Sequence, residues 1–183
     1  MSNQGGVAEG DLLLAETIDC NAESNLSVGT DPLLQNPRAT APLNPACVVC
    51  GQENPCGLHL EFQSNGDVSM ANWTASAGWE SFKGVIHGGV ICAVLDEAMS
   101  QAIIAAGYEA LTAEMRIRFR KKVNVNDVLR VRGWVVGVQK RKIVAEGSLT
   151  SADGVERAHA WATFLATASS EVRTRCPPRS TAG

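Results

Sequence analysis

At 183 residues the chain suits one domain of ordinary size with extensions. Its net charge of −3, and the lack of any visible aromatic stacking platform, argue against nucleic-acid binding. No apolar run approaches the roughly 20 residues of a membrane span, and six irregularly spaced cysteines in a chain too large to need staples point to a reducing, cytoplasmic setting.

Residues 1–46 are rich in Gly, Ser, Asn, Pro and Ala and carry Glu9, Asp11, Glu16, Asp19, Glu23 and Asp31 against the single Arg38. An acidic, arginine-poor leader is neither a secretory signal nor a typical transit peptide, and a disordered extension is expected.

A cysteine-rich loop follows, Cys47-Val48-Val49-Cys50-Gly51 through Cys56 to His59. Its C-x2-C-x5-C-x2-H spacing admits a zinc reading. The favoured reading is a turn-rich loop whose cysteines act as small hydrophobes, with no metal. Redox use of the Cys47/Cys50 pair is weaker still. Leu58 to Gln63 alternates and predicts a strand, with His59 pointing outward. Asn65-Gly66 signals a hairpin, and Asp67 to Thr74 is the return strand.

A loop from Gly78 to Val85 carries Trp79, Ser81, Phe82 and Lys83. It leads into Gly84-Val85-Ile86-His87-Gly88-Gly89 and a helix reaching about Gly107. The helix is apolar nearly all round, which is the mark of a buried one. Asp96 and Glu97 sit two turns into it, and a carboxylate there is costly unless paired or put to use. The first amides of a helix have no intrahelical partner and lie at the positive end of its dipole. Gly88 and Gly89 lack a Cβ, so a substrate carbonyl can approach those amides as in an oxyanion hole. Asp96 is eight residues past Gly88, about 12 Å along the axis at roughly 1.5 Å per residue. A carboxylate and an oxyanion donor acting on one group must both lie within roughly 3 Å of it, or one water further for the carboxylate. The spacing therefore predicts a dimer in which each site draws Asp96 from the second copy.

Four strands are predicted after the helix. They run Leu111 to Lys121, Asp127 to Val138, Ile143 to Thr150 and Val155 to Ala166, with Asp153-Gly154 as a second hairpin turn. With one helix and no crossovers, the sheet must be antiparallel and curl around the helix, an α+β arrangement. Ten Lys or Arg against one acid, Asp127, lie between Arg116 and Lys142, a field suited to an acidic substrate. Arg116, Arg118, Arg130 and Arg132 read as a solvated outer sheet face. The tail from Ser169 to Gly183 reads as disordered.

His-Gly-Gly with an acid nine residues after the His, on an apolar helix followed by four strands, resembles the hotdog-fold acyl-CoA thioesterases, specifically the PaaI-like branch. Cys50-Gly51, Asn54-Pro55 and Gly57-Leu58 resemble the same branch. The resemblance spans Cys47 to Thr167 and implies a hotdog domain over 47–168, a curved antiparallel sheet around one long central helix. It implies an acyl-CoA thioesterase that releases free acid and CoA, with coenzyme A part of the substrate and no separate cofactor. Sites at the interface of a homodimer are implied, with a tetramer left open.

By the same resemblance Asp96 is the general base or nucleophile, and the Gly88 amide an oxyanion donor. Thr112 lies near the attacking water, and His87 either takes part or shapes the loop and helix start. Gly89, Ser81 and Lys83 are expected at the substrate, Trp79 and Phe82 either line an acyl pocket or pad the loop, and the charge of the basic stretch makes Lys140-Arg141-Lys142, then Arg120, the candidates for the CoA phosphates. Two departures stand out: Ser81 occupies a position where some relatives carry Asn, and Lys122 one where many carry Pro. The alternatives are a hotdog dehydratase or hydratase on acyl thioesters and a non-catalytic acyl-CoA-binding module.

Overall fold

The computed structural model describes residues 38–39 and 44–167. The expectations for the remainder of 1–46 and for 169–183 lie outside the described residues. The elements run β1 (Arg38–Ala39), β2 (Gln63–Asn65), β3 (Val68–Thr74), a 3-10 turn (Ala77–Trp79), β4 (Glu80–Phe82), β5 (Val85–Ile86), α1 (Gly88–Ala105), β6 (Ala110–Phe119), β7 (Val128–Gln139), β8 (Lys142–Ser151) and β9 (Glu156–Ala166). Seven strands form one sheet in the order β1-β2-β3-β7-β8-β9-β6, and β4 and β5 form a separate hairpin. Every pairing is antiparallel. One helix against a curved antiparallel sheet is the α+β arrangement that the sequence implies.

Both hairpin signals sit where glycine supplies a left-handed residue: Gly66 has φ +62° between β2 and β3, and Gly154 φ +79° between β8 and β9. Helix α1 stops at Gly107, whose φ is +89°. By length and composition alone α1 could cross a bilayer, with 18 residues and mean hydropathy 1.4. In this fold its apolar surface meets the sheet instead, burying Ile91, Val94, Leu95, Ala98, Met99, Ala102 and Ile103.

The helix comes close because the sheet beneath it is built from small residues. In register across the strands stand Ser69 on β3, Gly133 on β7, Gly147 on β8 and Ala160 on β9. A Cβ on Gly133 would fall 2.3 Å from the Ala98 carbonyl carbon. Ser69, fully buried, donates its hydroxyl to the Ala98 carbonyl at 2.5 Å. Larger residues on either side, Leu129, Ile143, Leu149 and Phe164, complete the core.

One expected strand is corrected. Leu58 to Phe62 lie outside the ladder, and β2 begins only at Gln63. His59 takes φ +52°, which interrupts an extended run. The amides of Leu58 and Leu60 bond to the carbonyls of Val48 and Val49. Leu60 and Phe62 are buried as the alternation requires, so the pattern reported burial without a neighbouring strand.

Candidate active site

Asp96 projects from the middle of α1 toward β6. There the Thr112 hydroxyl donates to its Oδ1 at 2.7 Å. The carboxylate is half-buried. Burial pushes its pKa above the ordinary carboxylate range; the Thr112 bond pulls the other way, and the neighbouring Glu97 charge adds to the rise. A poised base with a hydroxyl beside it can hold and activate a water. A register shift in the β6–β9 pairing lies between Thr112 and Glu114, and such irregularities re-aim side chains near working sites.

The start of α1 is held by His87. It is the N-cap residue, and its Nδ1 accepts the Gly89 amide at 2.9 Å. This occupies the Gly89 N–H and leaves that of Gly88 as the first-turn donor with no intrahelical acceptor. His87 is exposed and in this structure shapes the helix start. Gly88 opens onto a groove of about 240 Å³ lined by Ile91, Phe119, Arg120, Lys121 and Lys122 among others. That is below the about 300–1,000 Å³ usual for a small-molecule pocket. Neither Asp96 nor Thr112 lines it.

The basic residues divide into two groups. Arg120 lies at the groove and is ion-paired with Glu156. The side chains of Lys121 and Lys122 have no partner among the described residues. Lys140, Arg141 and Lys142 sit at the other end of the sheet. Arg141 donates from Nε and Nη2 to the Ala166 carbonyl, and Lys142 pairs with Leu165, whereas the Arg120 amide bonds to the Arg157 carbonyl. Eight residues of β9 separate those two levels, about 26 Å at 3.3 Å per residue. One chain therefore does not bring Lys140–Lys142 to the Gly88 groove. Ser81, Phe82 and Lys83 are exposed on the β4–β5 hairpin, and Trp79 is half-buried. Of the outer-face arginines, Arg116, Arg118 and Arg130 are exposed as expected and Arg132 is half-buried; Arg116 lies over the Trp161 ring and Arg132 over Trp134.

Sequence reasoning missed a second cluster. Sulfur atoms of Cys47 and Cys50 and a carboxylate oxygen of Glu97 lie within 4.8 Å of one another. Cys56 and His59 take no part in that group. The missing signal was the i, i+4 pair Glu97/Gln101, which turns a polar edge of α1 toward the cysteine loop.

Residues 83–158 match the Thioesterase superfamily. No curated protein matches the chain. Solved structures similar to it include a thioesterase superfamily protein, 23% identical with TM-score 0.62 over 66% of this chain and 60% of that one, so this chain spans less than two thirds of that relative. A hypothetical thioesterase from Streptococcus pneumoniae, described with coenzyme A, is 20% identical with TM-score 0.57 over 59% of this chain and 85% of that one. The PaaI protein of the E. coli phenylacetic acid degradation operon is 17% identical with TM-score 0.58 over 60% and 80% of the two chains. The pneumococcal protein is also known as an aspartate-to-alanine and a threonine-to-alanine variant, the two positions sixteen residues apart. The helix and following strands thus match the thioesterase superfamily model, and the fold is the hotdog fold shared with solved thioesterase structures such as the PaaI protein.

Proposed function

We propose that the chain hydrolyses acyl-CoA thioesters, with Asp96 acting on water, Thr112 orienting that water and Asp96 together, and the Gly88 amide receiving the thioester oxygen. The observation that carries the reading is the 2.7 Å Thr112–Asp96 bond on a half-buried carboxylate. Asp96 and Thr112 are sixteen residues apart, the separation of the two altered positions in the pneumococcal protein.

In the general-base course, water oxygen attacks the thioester carbon and its proton passes to Asp96. The carbonyl oxygen gains charge against the Gly88 N–H and the positive end of the helix dipole. Collapse breaks the C–S bond, and the CoA thiolate takes up a proton. In the nucleophilic course, Asp96 itself attacks, and water then cleaves the acyl-aspartyl anhydride. Both courses use the same two residues, and neither needs a cofactor.

The groove at Gly88 does not contain Asp96, so the reading includes a homodimer with each site shared. Strand β6 supports this: it ends the seven-stranded sheet with one edge unpaired among the described residues. A ten-residue open edge is a ready template for a second copy. Leu111 and Phe119 at its two ends are 71% and 51% exposed. In this assembly Lys121 and Lys122 grip the CoA phosphates at the groove, and Lys140–Lys142 can reach a site only from another subunit.

The test is thiol release from short, long and aromatic acyl-CoAs, with the protein's own cysteines blocked or subtracted. Turnover on at least one member is expected, lost in Asp96→Asn and reduced by about 10²- to 10⁴-fold in Thr112→Val, the range of acid–base contributions. Full activity in Asp96→Asn refutes the assignment.

A further inference from the structure

The Cys47–Cys50 loop is folded more tightly than a connection between elements requires. The Gly51 amide bonds to the Cys47 carbonyl at 3.1 Å. A Cβ on Gly51 would lie 2.3 Å from the Cys47 nitrogen and 2.4 Å from the Pro45 carbonyl oxygen, so only glycine fits. The turn directs the Val49 amide at Cys47 Sγ, 3.4 Å away. A backbone N–H aimed at sulfur is the kind of outer contact that supports a metal ligand.

Helix α1 closes the cluster from the other side. Glu97 Oε2 lies 3.6 Å from Cys47 Sγ, and the Gln101 amide lies 3.7 Å from Cys50 Sγ and 2.7 Å from Glu97 Oε1. Two ligands at about 2.3 Å (sulfur) and 2.1 Å (oxygen) from a tetrahedral Zn²⁺ stand about 3.6 Å apart. The sulfur-to-carboxylate edge already has this length. No ion pair neutralises Glu97 among the described residues. Gln101 is 1% exposed, and its Oε1 is buried with no hydrogen-bond partner. A half-turn of the amide would bring that oxygen onto the cluster, a position suited to a cation and unsuited to a bare carboxylate.

We propose that Cys47, Cys50 and Glu97, with Gln101 as fourth donor, form a structural site for one zinc-class divalent cation that clamps the cysteine loop to helix α1. Two thiolates and a carboxylate select Zn²⁺, or Co²⁺ as its stand-in, over the all-oxygen ions Mg²⁺ and Ca²⁺. The donors differ from those suggested by sequence spacing: Cys56 is exposed and stays out, and Glu97 replaces His59. Cys47 and Glu97 are half-buried, which leaves a path for the ion.

The test uses the full chain, fully reduced and stripped by chelator, with Co²⁺ as probe. One equivalent is expected to produce thiolate-to-cobalt charge-transfer absorption, displaced by Zn²⁺. Cys50→Ser should abolish the band, and Cys56→Ser should leave it unchanged. Glu97→Gln, which keeps volume and hydrogen bonding and so tests the site without disturbing the apo fold, should weaken Co²⁺ binding by more than about 100-fold, the upper end of what losing an outer-shell partner costs. Added Zn²⁺ should raise Tm in the wild-type chain and in Cys56→Ser but not in Glu97→Gln. No band in the reduced wild-type chain overturns the proposal, as does a band that survives Cys47→Ser/Cys50→Ser or depends on Cys56. None of these readouts depends on thioester turnover, so the clamp and the hydrolase reading stand or fall separately.

Discussion

Replacing Gly133 by alanine tests whether the sheet sets the position of Asp96. The added Cβ would lie 2.3 Å from both the carbonyl carbon and oxygen of Ala98 and 2.6 Å from the Met99 nitrogen, where ordinary contact starts at 3.4 Å. The obstacle is helix backbone, which cannot rotate aside as a side chain can. Strand and helix must therefore separate by about 1 Å, in a core packed as densely as an organic crystal. Overpacking of this kind costs typically about 1–3 kcal/mol, and a backbone clash belongs at the upper end. With a urea m-value near 2 kcal/mol/M, about 3 kcal/mol lowers the midpoint by about 1.5 M. Ala98 is two residues from Asp96, so the carboxylate moves with it, and misplacement by about 1 Å can cost about 100-fold in turnover. Gly137→Ala on the same strand is the control, since nothing lies within 4 Å of its added Cβ. The assays are urea unfolding and thiol release from the best acyl-CoA substrate. If Gly133→Ala unfolds at the wild-type midpoint and turns over at the wild-type rate, close helix–sheet packing does not position the site.

Two further predictions concern Asp96 itself. Co-expressing Asp96→Ala with Gly88→Val, each inactive alone, should restore about half the wild-type activity in the heterodimer, because one of its two shared sites draws an intact Gly88 and an intact Asp96 from different copies. If each chain holds a complete site, the mixture stays inactive. Burial raises the Asp96 pKa in the folded protein, so below the unfolded carboxylate range the group is protonated in both states and costs nothing. The cost of its charge grows as pH rises from the unfolded toward the folded value and is complete above the latter. Asp96→Asn, which keeps an acceptor for the Thr112 hydroxyl, should therefore be more stable than wild type in denaturant at neutral pH and equal to it in strong acid. A variant less stable at neutral pH would mean that the carboxylate braces the fold.

Local patterns carried most of the architecture. The apolar helix, the strand alternation after it and the glycine turns at Gly66 and Gly154 are each written within a dozen neighbouring residues, and all are found. The Leu58 to Gln63 strand failed because alternation reports which side chains are buried, not whether a partner strand lies alongside, and His59 turns the backbone left-handed in mid-run. The row from Ser69 through Gly133 and Gly147 to Ala160 was out of reach for a different reason. Its members lie on four strands and become one surface only after the register is set. Composition likewise marked the basic stretch from Arg116 to Lys142, but strand geometry divides it between the two ends of the sheet. Glu97 stood out in the sequence only as a second carboxylate on the apolar helix, because nothing in linear spacing brings Cys47 and Cys50 to its side.

Three successive residues of α1 show why the position of Asp96, the candidate base, is so tightly set. Side chains one apart on a helix point about 100° apart, so Asp96, Glu97 and Ala98 face three directions. The Asp96 side chain meets Thr112 of β6, that of Glu97 meets Cys47 of the loop, and the backbone carbonyl of Ala98 meets Ser69 and the close-packed Gly133 of the sheet. Turning the helix to improve any one of these contacts spoils the other two. The apolar surround of α1 supplies burial without direction, and these three contacts supply the direction. A change at the cysteine loop therefore reaches the candidate base through the orientation of the helix, without touching the substrate. If the proposed hydrolase reading holds, such a change lowers kcat through misalignment and leaves acyl-CoA binding at the Gly88 groove largely intact.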